Sequence, residues 1–242
     1  MTTGLLDGKV VLVTGASRGI GYATAMEAAR RGAHVIAVAR TTSGLEELDD
    51  AIQDIGGSYT LVPLDLRDGE AIDRMGAAIF ERWGHLDGLI GNAGLLGVLS
   101  PLPHIKPDEF EKVFSVNVTA NYRLVRSLDV LLRQSSAGRA VFVTSGAART
   151  AKPFWSLYAA SKAALDALVK SYAGEVVQTP LRVNVFNPGP VRTAMRAKAM
   201  PGEDPNTLPT PQEIAPKIVD LIGPEVSATG QRFNAKGESE EI

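Results

Sequence analysis

Short apolar runs alternate along the chain with longer segments whose apolar positions recur at helical spacing. The first run, Val10 to Thr14, is β-branched and leads through a glycine turn into a helical pattern from Gly19 to about Arg31. Similar runs recur at Ala33 to Ala39, Tyr59 to Leu64, Leu86 to Ile90, Arg139 to Thr144 and Leu181 to Phe186, separated by helix-length segments. This alternation predicts a parallel sheet with helices on both faces. The strands are nearly all apolar rather than alternating, so they should be buried on both sides. The expected fold class is therefore α/β, a single doubly wound domain over residues 1–242.

Two stretches break the pattern. Between Gly189 and Pro211 stand Pro190, Pro201, Pro205, Pro209 and Pro211, too many breakers for one element, so a loop with a short helix near Ala194 to Met200 is expected there. Long loops in compact domains usually serve function, and this one is read as a substrate lid. The acidic tail from Gly237 to Ile242 reads as a solvated end.

Composition narrows the function. Lys plus Arg number 25 against 27 Asp plus Glu, with no basic block, which lacks the electrostatic footprint of a nucleic-acid binder. The charge-free stretch from Gly88 to Pro103 holds Asn92, Ser100 and two prolines and is too broken to span a bilayer. The N-terminus carries Asp7 and Lys9 before its first apolar run, unlike a secretory leader, so a cytoplasmic protein is expected. Cysteine is absent and the three histidines are scattered, which removes thiol chemistry and leaves no metal-ligand spacing.

The turn Thr14-Gly15-Ala16-Ser17-Arg18-Gly19-Ile20-Gly21 joins the first strand to the first helix. Backbone N–H groups at such a helix N-terminus form a cradle for phosphate. A dinucleotide fold that takes NAD carries a carboxylate at the end of its second strand, about 20 residues on. Here that strand ends Val38-Ala39-Arg40-Thr41. Arg40, together with Arg18, suits a 2′-phosphate, which favours NADP(H) while leaving NAD(H) open.

Further on stand Gly91-Asn92-Ala93-Gly94, Asn117, Ser145, the run Tyr158-Ala159-Ala160-Ser161-Lys162, and Pro188-Gly189-Pro190-Val191-Arg192-Thr193. Tyr158 and Lys162 are four apart and share one helix face. A free tyrosine titrates near 10, and an ammonium at about 5 Å would favour its phenolate by roughly 3 kcal/mol, so Lys162 is expected to bring Tyr158 towards neutral working range.

In this order and spacing, over nearly the whole length, the chain resembles the short-chain dehydrogenase/reductase family. The resemblance implies a Rossmann-like sheet of about seven parallel strands, the last at Gln231 to Asn234. It implies Tyr158 as general acid/base, Ser145 polarising a substrate carbonyl, Asn117 positioning a relay water, and Lys162 holding the nicotinamide ribose. Gly15, Ser17, Arg18, Gly19, Ile20 and Gly21 would line the phosphates, and Asp65 and Leu66 the adenine. Asn92, Ala93, Gly94, Pro188, Val191 and Thr193 would complete the cofactor site.

Gly91 departs from the family, which usually has asparagine there, and its loss is expected to loosen the neighbouring strands. Leu95, Leu96, Leu99, Phe154 and Trp155 suggest an apolar substrate pocket; core packing would explain them as well. The family commonly forms tetramers through the helices expected at Asp108 to Gln134 and Ser156 to Gln178, so a homo-oligomer, tetramer or dimer, is expected. The reading is an NADP(H)-dependent carbonyl reductase or alcohol dehydrogenase. A 3-oxoacyl carrier-protein reductase and a non-catalytic NADPH sensor are the alternatives.

Overall fold

The computed structural model describes residues 4–242. In chain order it contains β1 (Val10–Thr14), α1 (Gly19–Arg30), β2 (His34–Ala39), α2 (Thr42–Asp54), β3 (Ser58–Pro63), α3 (Gly69–Trp83) and β4 (Gly88–Gly91). There follow α4 (Pro107–Phe114), α5 (Ala120–Gln134), β5 (Arg139–Val143), α6 (Ala147–Thr150), α7 (Ser156–Glu175) and β6 (Arg182–Asn187). The last elements are α8 (Ala194–Ala199), α9 (Pro211–Asp220), β7 (Gln231–Asn234) and β8 (Ser239–Glu241).

The strands form one sheet in the order β3-β2-β1-β4-β5-β6-β7-β8. Seven are parallel, as the alternation implied, and β8 runs antiparallel to β7. Side chains alternate across the sheet, so Val11 and Val13 enter one core layer while Val10 and Leu12 enter the other. The first layer is closed by α1, α2 and α9 through residues such as Ala25, Leu48 and Ile218. The second is closed by α3, α5 and α7 through Met75, Leu128 and Val169. From β1 the chain winds outward to β3, then crosses to β4 and winds the other way. This reversal leaves a crevice above the carboxyl ends of β1 and β4, where such sheets bind ligands.

Local chemistry explains several boundaries. Asp68 accepts a hydrogen bond from the Ala71 amide at 2.9 Å and starts α3, and Gly84, at φ 71°, ends it in a left-handed conformation. Thr210 and Glu213 exchange bonds in a capping box that starts α9. The helix expected at Asp108 to Gln134 begins at Pro107 and is continuous through α4 and α5, but Ser115–Thr119 widens into a π turn. Such turns free backbone groups from the regular ladder.

Three expectations are corrected. β3 is not buried on both sides: as the edge strand it has half-buried and exposed residues throughout. The tail is not a free solvated end, because Ser239–Glu241 pairs with β7 as an eighth strand. Gly91 leaves no gap, since the space that a side chain would take is filled. A Cβ there would lie 2.4 Å from Phe142 Cδ1 and 2.8 Å from Asn121 Oδ1.

Candidate functional site

A cleft of about 640 Å³ opens along the crevice. The glycine turn forms one wall. Gly15 and Gly19 have φ of 67° and 59°, and a Cβ at Gly21 would lie 2.2 Å from the Gly15 carbonyl. Glycine is required for this turn to fold back on its own helix. α1 starts at Gly19 with no side-chain cap on its N-terminus and no acidic residue in its first turn. Free N–H donors and an unopposed helix dipole therefore face the cleft, the arrangement a pyrophosphate needs.

The loop after β4 is tied to this turn. Thr14 Oγ1 accepts from the Asn92 and Ala93 amides at 3.0 and 3.1 Å, and Asn92 Nδ2 donates to the Thr14 carbonyl at 2.9 Å. Asn92 thus acts as a strut between β1 and β4.

Beside the carboxyl end of β2, Arg18 and Arg40 line the cleft and are exposed. Asp65, also lining it, is bound by Arg67, whose Nη2 donates to Oδ2 at 2.6 Å. That guanidinium, with burial opposing it and Arg40 adding to it, holds the Asp65 carboxyl below the ordinary range. Arg67 was not singled out in the sequence; the only signal was its place two residues after Asp65.

At the opposite end, Ser145 follows β5, and Tyr158 and Lys162 lie one turn apart on α7. All three line the cleft. Burial pushes the Tyr158 phenol above its ordinary range, and the nearby Ser145 hydroxyl works the other way. Lys162 is almost fully buried, and its Nζ donates to the Val143 carbonyl at 2.8 Å. Burial lowers its pKa to about 8, opposed by Asp166. The ammonium stands 6.0 Å from the centroid of the Tyr158 ring. Burial is the first cause of the Tyr158 shift and opposes the lowering that the spacing predicts, while the Lys162 ammonium is not among the causes.

Asn117, fully buried in the π turn, donates from Nδ2 to the Leu95 carbonyl and to Ser161 Oγ, both at 2.9 Å, and accepts from the Leu95 amide at 2.7 Å. Its side chain is committed to joining the β4 loop to α7. Both Asn117 Oδ1 and Lys162 Nζ lie beside Gly94, 3.5 and 3.4 Å from where a Cβ would stand.

The segment 189–211 is more built than a loop. Arg196 makes two bonds of 2.6 Å to Glu203, and Arg192 Nε donates to the Pro205 carbonyl at 2.7 Å. Thr193 caps α8 by accepting from the Arg196 amide at 3.2 Å, while Pro188, Val191 and Thr193 all line the cleft. Asn187, which sequence reasoning passed over, accepts from both the Gly146 and Gly189 amides at 3.1 Å and so joins the Ser145 loop to the start of the 189–211 segment. Leu95, Leu96 and Trp155 face the cleft; Leu99 and Phe154 are not among its lining residues.

A family model described as short chain dehydrogenase matches residues 9–204. The chain belongs to this family. Over 96% of its length it is 39% identical to the uncharacterised oxidoreductase YciK of Escherichia coli K12, covering 93% of that protein. It is 33% identical to the 3-oxoacyl-[acyl-carrier-protein] reductase FabG of Vibrio cholerae, covering 96% of this chain and 97% of the relative. Among solved structures, a short-chain dehydrogenase from Escherichia coli CFT073 complexed with NADPH superposes with a TM-score of 0.91 at 39% identity, covering 98% of this chain and all of the other. This short-chain dehydrogenase is accordingly an oxidoreductase of the NAD(P)-dependent kind, with the Rossmann-like fold of its relatives. Among the described residues no helix is long and apolar enough to cross a membrane.

Proposed function

We propose that the protein is an NADP(H)-dependent carbonyl reductase or alcohol dehydrogenase in which Tyr158 transfers the proton. The observation that carries this reading is that Ser145, Tyr158 and buried Lys162 line the cleft together, with Lys162 one turn from Tyr158 on α7. When bound, the nicotinamide supplies or accepts hydride at its C4. The uncapped α1 terminus and its glycines would hold the pyrophosphate, and Arg18 and Arg40 the 2′-phosphate. The NADPH complex of the E. coli structure supports NADP(H) over NAD(H).

The two hydroxyls would both reach the carbonyl oxygen of a substrate, Ser145 polarising it and Tyr158 donating its proton. A phenol raised by burial is protonated at neutral pH, so the free site is loaded for reduction, in which the carbonyl oxygen gains negative charge. Lys162 would stabilise the phenolate left behind and would hold the nicotinamide ribose. Leu95, Leu96 and Trp155 give the substrate side an apolar wall.

A second reading, reduction of a 3-oxoacyl thioester, is favoured by the likeness to the Vibrio cholerae reductase and by Lys112 and Lys198 lining the cleft. A panel of ketones, aldehydes and a 3-oxoacyl thioester, followed by NADPH absorbance, separates the two. Single-turnover rates with saturating NADPH test the mechanism. Tyr158→Phe should keep NADPH binding and slow the chemical step by about 10²- to 10⁴-fold. A rate within a factor of a few of the unmodified protein would remove Tyr158 as proton donor. Tight NADPH binding without turnover of any carbonyl would favour the sensor.

A further inference from the structure

Directly beneath the site, α7 carries a second buried charge. Asp166 lies one turn beyond Lys162 and is 7% exposed; Arg232 on β7, 5% exposed, donates to it from Nη2. Arg232 Nη1 also lies 3.5 Å from the Ser145 carbonyl. Behind the pair, Glu240 of β8 stands 3.8 Å from Arg232 Nε and 2.9 Å from Nη1 of Arg149, which sits on α6 just past Ser145. Arg149 Nη2 further donates to the Glu241 carbonyl at 2.9 Å. The pair is not closed on itself: Asp166 Oδ1, the Thr144 hydroxyl and Arg232 Nε are buried without a hydrogen-bond partner.

A buried ion pair carries a desolvation cost that a well-packed apolar pair avoids, so its presence here asks for a role beyond packing. The groups around Lys162 supply one. On its own helix Tyr158 and Asp166 flank it; β7 presents Arg232, β8 Glu240 and α6 Arg149 behind Asp166. β5, the β4 loop and the π turn present the Val143 carbonyl, Gly94 and Asn117, none of which titrates. Asp166, buried one turn from Lys162 on the same helix, is the carboxylate placed to oppose the effect of burial on it.

We propose that Asp166, fixed by Arg232, is a positioning residue that keeps Lys162 charged in its dry setting, and that β8 latches this arrangement through Glu240. Arg232 ties the same carboxylate to the Ser145 loop, so both halves of the site share one support. The proposal rests on the reading of Lys162 as the cationic partner of Tyr158.

The test is a titration of the cofactor-free full chain labelled with ¹³Cε-lysine, in which the Lys162 signal is assigned by its loss in Lys162→Met. In Asp166→Asn the Lys162 midpoint should fall by about one pH unit or more, since an opposite charge has been removed and Arg232 is left facing the lysine. Because that variant strands a buried cation, Asp166→Asn/Arg232→Gln is measured beside it; its midpoint should fall too, though less. NADPH affinity, read by fluorescence, should weaken at correspondingly lower pH. A midpoint that stays put in either folded variant overturns the proposal, as does failure of both to accumulate as folded protein. Tyr158→Phe, assayed separately, reports on the proton-donor reading alone: its full activity would sink that reading, whereas an inactive Tyr158→Phe with an unmoved Lys162 midpoint sinks only the role of Asp166.

Discussion

Lys162 Nζ donates to the carbonyl of Val143, the last residue of β5, two residues before Ser145. One buried cation thus joins α7 to the strand that leads into Ser145. The bond satisfies one donor of the ammonium but does not restore its hydration, so the lysine is driven down to about 8 from the ordinary 10.5.

That position has a cost in stability. The folded state holds the Lys162 proton less tightly than the unfolded chain, so the penalty is complete below about pH 8 and is relieved as pH rises from there towards 10.5. The fall is worth about 3 kcal/mol at most, less about 1 for the bond to Val143. Cofactor-free Lys162→Met should therefore melt higher than the unmodified protein at pH 7, with an advantage that narrows by pH 9. Thermal melts at the two pH values check this, and an advantage independent of pH would contradict it.

At the other end of the cleft, Arg40→Asp should lower kcat/KM for NADPH by about 10-fold or more and leave NADH equal or better, because a charge-assisted bond of roughly 1.5 to 3 kcal/mol is exchanged for repulsion. Initial rates with both dinucleotides decide it. A protein that already prefers NADH would refute the assignment of Arg18 and Arg40.

Restoring the asparagine that the family usually has at position 91 should harm this chain. The new side chain would collide with the Phe142 ring and with Asn121, whose Nδ2 donates to the Asn117 carbonyl at 2.9 Å. Gly91→Asn should destabilise by about 1 to 3 kcal/mol, or several degrees in Tm for a chain of this size. Paired with Asn121→Ala, which frees space, part of that loss should return.

Assembly is expected through the long helices. Tyr122 and Val130 on α5 are 49% and 59% exposed, large apolar surface to leave in water. Sedimentation at micromolar protein should show a homo-oligomer, a tetramer by family resemblance, and Val130→Glu should shift it towards the 25.6 kDa monomer. A single monomeric species for the unmodified protein would end this expectation.

The sheet was legible because its central strands are short, apolar and punctuated by glycine, and the lining of the cleft because its residues follow the carboxyl ends of those strands in order. What escaped the sequence lies in geometry that no local pattern encodes. Ser239–Glu241 has no apolar face to announce a strand; it is held by backbone pairing to β7 and by Arg149. Arg67 and Asn187 matter through partners brought near by the fold. The raised phenol of Tyr158 is not legible either, because spacing gives the distance to Lys162 but not the depth of burial, which is the first cause of the shift.

The eighth strand also limits how copies of this chain can meet. β7 would otherwise offer a row of free amides and carbonyls to a neighbouring molecule, and β8 uses them up. The edge that replaces it is three residues long and carries Glu240 and Glu241. Another such edge brought alongside would set carboxylates against carboxylates. The sheet therefore stops within the molecule at this end, and growth by strand addition, whether into an ordered dimer or an aggregate, is discouraged by the last few residues of the chain.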